Sequence, residues 1–272
     1  MPGTDWHMSV LLITGLTDPG RMREQNEDNI AMAPEAGLVV VADGMGGHRA
    51  GEVASRLAVE VIQRHIVDTL SEAGGNSNGS IEVALVRDAI GLANQAIHAH
   101  ARENPEYAGM GSTVVVALFY GDKLCVGHVG DSRLYRFRDT ILEQVTEDHS
   151  VVQELISRGL VTAEEARQSI SKNLVTRALG IDPDVEADVS EHDVYDDDLY
   201  LLCSDGLNDV LADGDIELML TELGRNLEAT ARQMVDTANE RGGPDNISVI
   251  LVRARGSFTR NPEALQKLRD QG

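Results

Sequence analysis

Five places in this 272-residue chain put an acidic residue where an apolar run meets a tight turn. "VVVADGMGG" carries Asp43 off the apolar run Leu38–Val41 onto a glycine corner. "HVGDSR" does the same for Asp131 and "LLCSDGLND" for Asp205, while "GGPDNISVI" sets Asp245 just ahead of an apolar run and "QNEDNI" pairs Glu27 with Asp28. A lone Asp-Gly is most often a turn or cap, since aspartate bonds its own backbone and glycine accepts turn dihedrals. Five such corners are harder to assign to turns alone. Carboxylates a few ångströms apart cannot all stay ionised without cations between them. Oxygen ligands with no neighbouring Cys or His cluster select hard ions such as Mg²⁺ or Mn²⁺ over Zn²⁺. Spacing along the chain leaves open whether the five corners converge.

A nucleotide loop is the rival chemistry for the glycine corner. "GMGGHR" puts Arg49 where a third glycine belongs, and no Gly-Lys-Ser/Thr follows. An aspartate directly before the glycines would also repel a pyrophosphate. That reading falls away, and a metal corner or a plain strand-to-helix turn remains.

The elements around the corners can be read from periodicity. Residues 10–45 read as strands and turns around the polar loop "TDPGRMREQNEDN". Val53, Ala54, Leu57, Ala58, Val61, Ile62 and Ile66 recur at helical spacing between Gly51 and Leu70, and 81–102 reads as a second amphipathic helix. The segment "SEAGGNSNGS" between them has loop composition. "STVVVALFYGDKLCVGHVGDSRLYRFRDTILEQVT" then changes period and reads as an antiparallel meander, broken at Gly121-Asp122, Gly130-Asp131 and Arg138-Asp139. "TAEE" fits a capping box with Thr162 as N-cap and Glu165 three residues on. "LYLLCSDG" and "NISVILVRA" read as short buried strands, with helices near 213–222 and 226–240 between them. Helix pairs alternating with antiparallel strands imply helical layers on a central sheet structure. The polar segment from Gly256 is expected to be loosely attached.

Composition excludes some functions. With 23 basic and 45 acidic residues the formal charge is −22, which argues against neutralising nucleic-acid phosphates or docking on anionic membranes. "SVLLITGL" is too short to span a bilayer and has no basic flank before it. Cys125 and Cys203 have no CxxC partners and suit buried, reduced thiols in a cytoplasmic protein. At 42% hydrophobic the chain can bury one large core or two small ones.

The segments "RMREQNED", "VVVADGMGGHRAGEVAS", "GMGSTVVVALF", "VGHVGDSRLYRF", "VTEDHSVVQELISRG", "NLVTRALG", "LLCSDGLND" and "GGPDNISVILV" follow one another in this order. The ordered set resembles the metal-dependent protein phosphatases of type 2C, the PPM class, and within it the short bacterial single-domain members. The resemblance implies an α+β fold, a four-layer α/β/β/α sandwich with two central antiparallel sheets and metals in a channel at one end. It implies a phosphatase domain over 10–254 with a flap at about 147–180, an extension at 1–9 and a polar tail at 255–272.

It also implies a ligand set. Asp43 would bridge two Mn²⁺ or Mg²⁺ ions, and the Gly44 backbone carbonyl would bind one of them. Asp205 and Asp245 would complete the first ion, Glu27 and Asp28 would support the second, and Asp131 with Asp205 would form a third, weaker site. Arg23 would clamp the substrate phosphate through two parallel hydrogen bonds, which lysine cannot reproduce. Two cations lower the pKa of a bridging water and hold the resulting hydroxide in line with phosphorus. The implied activity is hydrolysis of phosphoserine and phosphothreonine monoesters on proteins, with a Ser/Thr kinase and its substrates as partners and the phosphatase a monomer. The alternative is a pseudophosphatase that binds phosphoproteins or a kinase without turnover; retention of Asp43, Asp205, Asp245 and Arg23 favours the enzyme.

Two departures stand out. Met45 occupies the position where many eukaryotic members carry a histidine proposed as general acid, so no side-chain acid is assigned. Ser169 and Ile170 replace a His-Pro common in the flap of bacterial relatives. His48 reads as a helix-start surface residue and His149 as a structural loop residue.

Overall fold

The apolar runs become strands buried on both faces. Strand β3 (Leu38–Met45) turns Leu38, Val40 and Ala42 toward helices α1 (Ala50–Glu72) and α2 (Ser80–Glu103), and turns Val39 and Val41 toward a second sheet. Successive side chains of a strand point to opposite faces, so a strand covered on both sides is apolar throughout rather than at every second position. β5 (Val114–Tyr120) and β10 (Leu199–Cys203) obey the same constraint.

The structure is a computed structural model describing residues 10–47, 49–75, 80–162, 165 and 174–271. One sheet has the order β1 (Val10–Asp18), β11 (Ile247–Arg255), β10, β7 (Arg133–Arg138) and β8 (Ile141–Gln144). The other has the order β2 (Asp28–Ala33), β3, β5, β6 (Lys123–Val129) and β9 (Asp188–Asp193), with short β4 (Gly111–Ser112) paired to the end of β3. All these pairings are antiparallel. α1 and α2 pack on the second sheet. Helices α5 (Asp213–Leu223) and α6 (Leu227–Glu240) pack on the first through Ile216, Leu220, Met234 and Val235. The two sheets meet over Val39, Val41, Val115, Leu202, Ile250 and Val252, with Phe119 and Tyr200 edge-on at 5.4 Å. This is the four-layer α/β/β/α sandwich expected from the sequence.

The antiparallel pairing brings particular strand ends together. Asp28 at the start of β2 pairs in register with Asp43 near the end of β3. Cys203, at the end of β10, lies against Val249 near the start of β11, so Asp205 and Asp245 emerge beside each other. A hydrogen bond of 2.7 Å from Ser204 Oγ to Asp28 Oδ2 then joins the two sheets at that end. Beyond β8, α3 (Val151–Ser157) begins at Ser150, whose side chain caps Gln153 N. The expected capping box is present: Thr162 N and Oγ1 both donate to Glu165 Oε2 at 2.8 Å, and Glu165 N donates to Thr162 Oγ1 at 3.2 Å. Among the described residues no helix is long and apolar enough to cross a membrane.

The segment after β11 corrects one expectation. It is not loosely attached: α7 (Pro262–Arg269) docks on α1 with Leu265 fully buried. Arg260, also buried, donates to the carbonyls of Ala36 and Phe119 at 2.9 and 3.0 Å and to Glu82 Oε1 at 3.0 Å. Removing one member of such a pair leaves an uncompensated buried charge. Arg260→Ala is therefore expected to lower unfolding free energy by about 3–5 kcal/mol in urea melts. Arg260→Met with Glu82→Leu should cost clearly less. Equal losses for both would show that the charge pair is not what holds the segment.

Candidate active site

Asp43 is held by its backbone. Thr113 N donates to the Asp43 carbonyl at 2.8 Å, Ser112 Oγ donates to the same oxygen at 3.0 Å, and Asp43 N donates to Thr113 Oγ1 at 3.2 Å. With both backbone groups occupied, the side chain is left to project from the strand end. Gly44 follows because nothing larger fits: a Cβ there would lie 2.0 Å from the Gly51 carbonyl oxygen and 2.6 Å from that of Glu27. Asp28 is buried opposite, and Ser204 Oγ, which bonds Asp28, itself accepts from Ser248 N at 2.9 Å.

Asp205 opens the short helix α4 (Asp205–Asn208), directly after β10. Asp245 precedes β11, and buried Asn246 beside it organises the neighbouring loop. Asn246 Oδ1 accepts from Glu27 N at 2.8 Å, Nδ2 donates to the carbonyls of Pro19 and Gln25 at 2.9 Å each, and its own N donates to Asp245 Oδ1 at 2.9 Å. One amide thus fixes the loop that carries Arg23 and Glu27 against Asp245. Arg23 Nη2 donates to Asp245 Oδ2 at 2.7 Å while half of the arginine side chain stays exposed.

The carboxylates converge and repel. Partial burial pushes the Asp43 carboxyl well above the usual range, and the charges of Asp28, Asp205, Asp131 and Asp245 add to the rise. Asp205 is raised the same way, by burial and then by Asp131, Asp209, Asp245 and Asp28. Asp28 is pushed up to about 6 chiefly by burial, and Asp131 to about 6 by burial and Asp148. Burial raises Glu27 as well, against the pull of the Arg23 charge. Buried oxygens Glu27 Oε1, Asp28 Oδ1 and Asp205 Oδ1 have no hydrogen-bond donor. Orphaned anionic oxygens in an all-oxygen set fit hard divalent cations. Among the described residues, the three-residue group whose ligand atoms all lie within 4.8 Å of one another is His128, His149 and Asp188 rather than a set of carboxylates. A two-ion centre needs a wider ring, since its ions sit about 3.5–4 Å apart.

All eight expected site residues therefore lie at one end of the sandwich, with Asp131 on the side facing α3. There a cavity of about 430 Å³ is bounded by Asp131, Asp205, Asp148, Val152, Ile156 and Leu211. His48, Ser169 and Ile170 lie outside the described residues. Sequence reading missed Asn246, Ser204 and Thr113. Asn246 and Ser204 directly adjoin candidate ligands and Thr113 adjoins none, and the bonds that matter reach residues distant in the chain.

An oxygen-lined end shared by two stacked antiparallel sheets, with an arginine at its rim, is the architecture of the metal-dependent protein phosphatases. The chain belongs to the protein phosphatase 2C family, whose model matches residues 21–251. It is 38% identical to the serine/threonine phosphatase stp of Listeria monocytogenes over 239 residues, 87% of this chain and 93% of that one. Stp1 of Staphylococcus aureus superposes with a TM-score of 0.83 at 33% identity, covering 94% of this chain and 100% of the other. The catalytic domain of the phosphatase PstP, solved in complex with two manganese ions, superposes with a TM-score of 0.80 at 35% identity, covering 91% and 100%. The chain is a protein serine/threonine phosphatase of a metal-dependent family.

Raised carboxyl pKa values make a stability prediction for the chelated protein. Asp28 and Asp131 bind protons more tightly folded than unfolded, so their contribution is complete below the ordinary value of 3.8 and is lost as pH rises through about 6. With excess chelator, Tm should fall between pH 5 and pH 7.5, and Mn²⁺ should reverse most of that fall. Asp43→Asn should flatten the chelated profile and shrink the Mn²⁺-induced rise. A chelated Tm that is level across this range would contradict the mutual repulsion.

Proposed function

We propose that this phosphatase holds two Mn²⁺ or Mg²⁺ ions at the joined sheet ends, with room for a third. Asp43 would be shared by the pair and the Gly44 carbonyl would contribute to one ion. Asp205 and Asp245 would complete the first, Glu27 and Asp28 would support the second, and Asp131 with Asp205 would hold the third. The observation that carries this reading is the convergence of Asp43, Asp205, Asp28 and Asp131 with buried oxygens that no donor satisfies. Bound ions supply Lewis acidity there, acidifying water and neutralising phosphoryl charge.

The protein's own groups do the rest. Arg23, anchored on Asp245 and half exposed, offers its guanidinium to two phosphoryl oxygens and orients the phosphorus. Ser204 and Asn246 keep Asp28 and the Arg23 loop from shifting, which preserves that alignment. Met45 supplies no proton, so the leaving serine or threonine oxygen takes one from water. Substrates are phosphoserine and phosphothreonine proteins made by a Ser/Thr kinase that this monomer opposes in the cytoplasm, a compartment that suits two buried free thiols. The catalytic domain spans 10–254, and the flap at 147–180 chooses among substrates.

Phosphate release from a phosphothreonine peptide should require Mn²⁺ or Mg²⁺ and stop with chelator. Asp43→Asn and Asp205→Ala, folded by circular dichroism, should lose it. Arg23→Lys keeps the charge but loses the paired donors, so kcat/KM should fall roughly ten- to hundredfold, or about 1.5–3 kcal/mol. Phosphopeptide binding without turnover in any of these metals would instead identify a pseudophosphatase.

A further inference from the structure

His149 grips the residue just ahead of Asp131. Its backbone N donates to the Gly130 carbonyl at 2.9 Å, and Gly130 N donates to His149 Nδ1 at 3.1 Å. Gly130 has a φ of +103°, a conformation closed to most side chains, so the chain turns sharply there into Asp131. On the other side of Asp131, Arg133 makes a two-pronged bond to Asp148, with Nε to Oδ1 at 2.9 Å and Nη2 to Oδ2 at 2.7 Å. The adjacent pair Asp148–His149 thus clamps both flanks of Asp131.

The same histidine begins the segment that carries α3. The His149 carbonyl accepts from Thr176 N at 2.7 Å, and Val151 N donates to the Leu174 carbonyl at 2.9 Å, so both ends of that segment meet at His149. Its buried ring stacks on His128 at 4.6 Å, and His128 Nε2 bonds the Glu147 carbonyl at 2.8 Å. Because Nδ1 accepts a backbone N–H, the neutral ring carries its proton on Nε2, which faces Asp188 Oδ2 at 3.3 Å. Arg177 holds the other oxygen of Asp188 at 2.9 Å. A protonated Nε2 has no lone pair to offer a metal, so His128, His149 and Asp188 form a packed brace, the rings stacked and Nε2 facing Asp188 without a hydrogen bond, and not a metal cage.

We propose that His149 is a positioning residue for the third cation site: through Nδ1 it sets Gly130, and so the approach of Asp131. The inference rests on the reading of Asp131 as a ligand. A residue that fixes a ligand from behind changes metal affinity roughly 10–100-fold when removed.

The test is a Mn²⁺ titration of the full chain followed by the electron-spin signal of free Mn²⁺, with folding checked by circular dichroism. His149→Phe keeps a ring on His128 but removes the acceptor, with His149→Leu as its substitute if the larger ring does not fold. His149→Asn returns an acceptor oxygen near the place of Nδ1. The acceptor-less variant should weaken only the weakest site, by about tenfold or more. His149→Asn should recover most of that loss, and the acceptor-less change should add nothing in an Asp131→Ala background. A folded acceptor-less variant with the parent isotherm, or an Asn variant as weak as the Phe variant, overturns the role of His149 alone. An Asp131→Ala isotherm equal to the parent's overturns the third site and the inference with it.

Discussion

Repulsion among carboxylates gathered at one end of the sandwich is the constraint around which this molecule is arranged. Asp28 and Asp43 lie opposite each other on neighbouring strands, where directly paired Cβ atoms stand roughly 4.5–5.5 Å apart. Asp205 arrives from the other sheet and Asp131 from the turn after β6. Each raises the proton affinity of others in the set, and several of their oxygens find no donor. A protein that needed only a stable corner would place amides or hydroxyls there. Cations would turn this arrangement from a liability into a site, since they would offset the like charges and satisfy the orphaned oxygens together.

Holding such a set requires supports that do not themselves repel. Those supports are neutral and short: Ser204 between Asp28 and β11, Ser112 and Thr113 on the backbone of Asp43, Asn246 on the Arg23 loop. They bond mostly backbone groups, with Ser204 also donating to the Asp28 carboxylate and Thr113 Oγ1 meeting Ser132 Oγ, so they fix position without adding charge. Behind them the central strands are apolar on both faces and sealed by helices, which keeps the strand ends from moving relative to one another. Arg260 and α7 extend that sealing to the far side of α1 and α2, where an ion pair buried with Glu82 fastens the chain's last helix.

Much of this was legible along the chain because it depends on local pattern. The run from Leu38 to Val41 is apolar at every position since both its faces are covered, and the helical spacing of Val53 through Ile66 matches α1. The capping box at Thr162 was readable because its partners are three residues apart. The docking of the last helix was not. Its anchor, Arg260, meets Glu82 across 178 residues of chain, and a polar segment with a single fully buried leucine has no local signature of packing.

By itself, the sequence determined the layers, the types of element and the identity of the acidic corners, because each follows from residue type and short-range period. Tertiary structure alone decided that those corners share one end of both sheets. It also decided which neutral residues brace them, and that His149 reaches Gly130 from just ahead of α3. The reason is physical: repulsion, burial and hydrogen bonding act through space, and the groups that feel them here are brought together only when the two sheets close on each other.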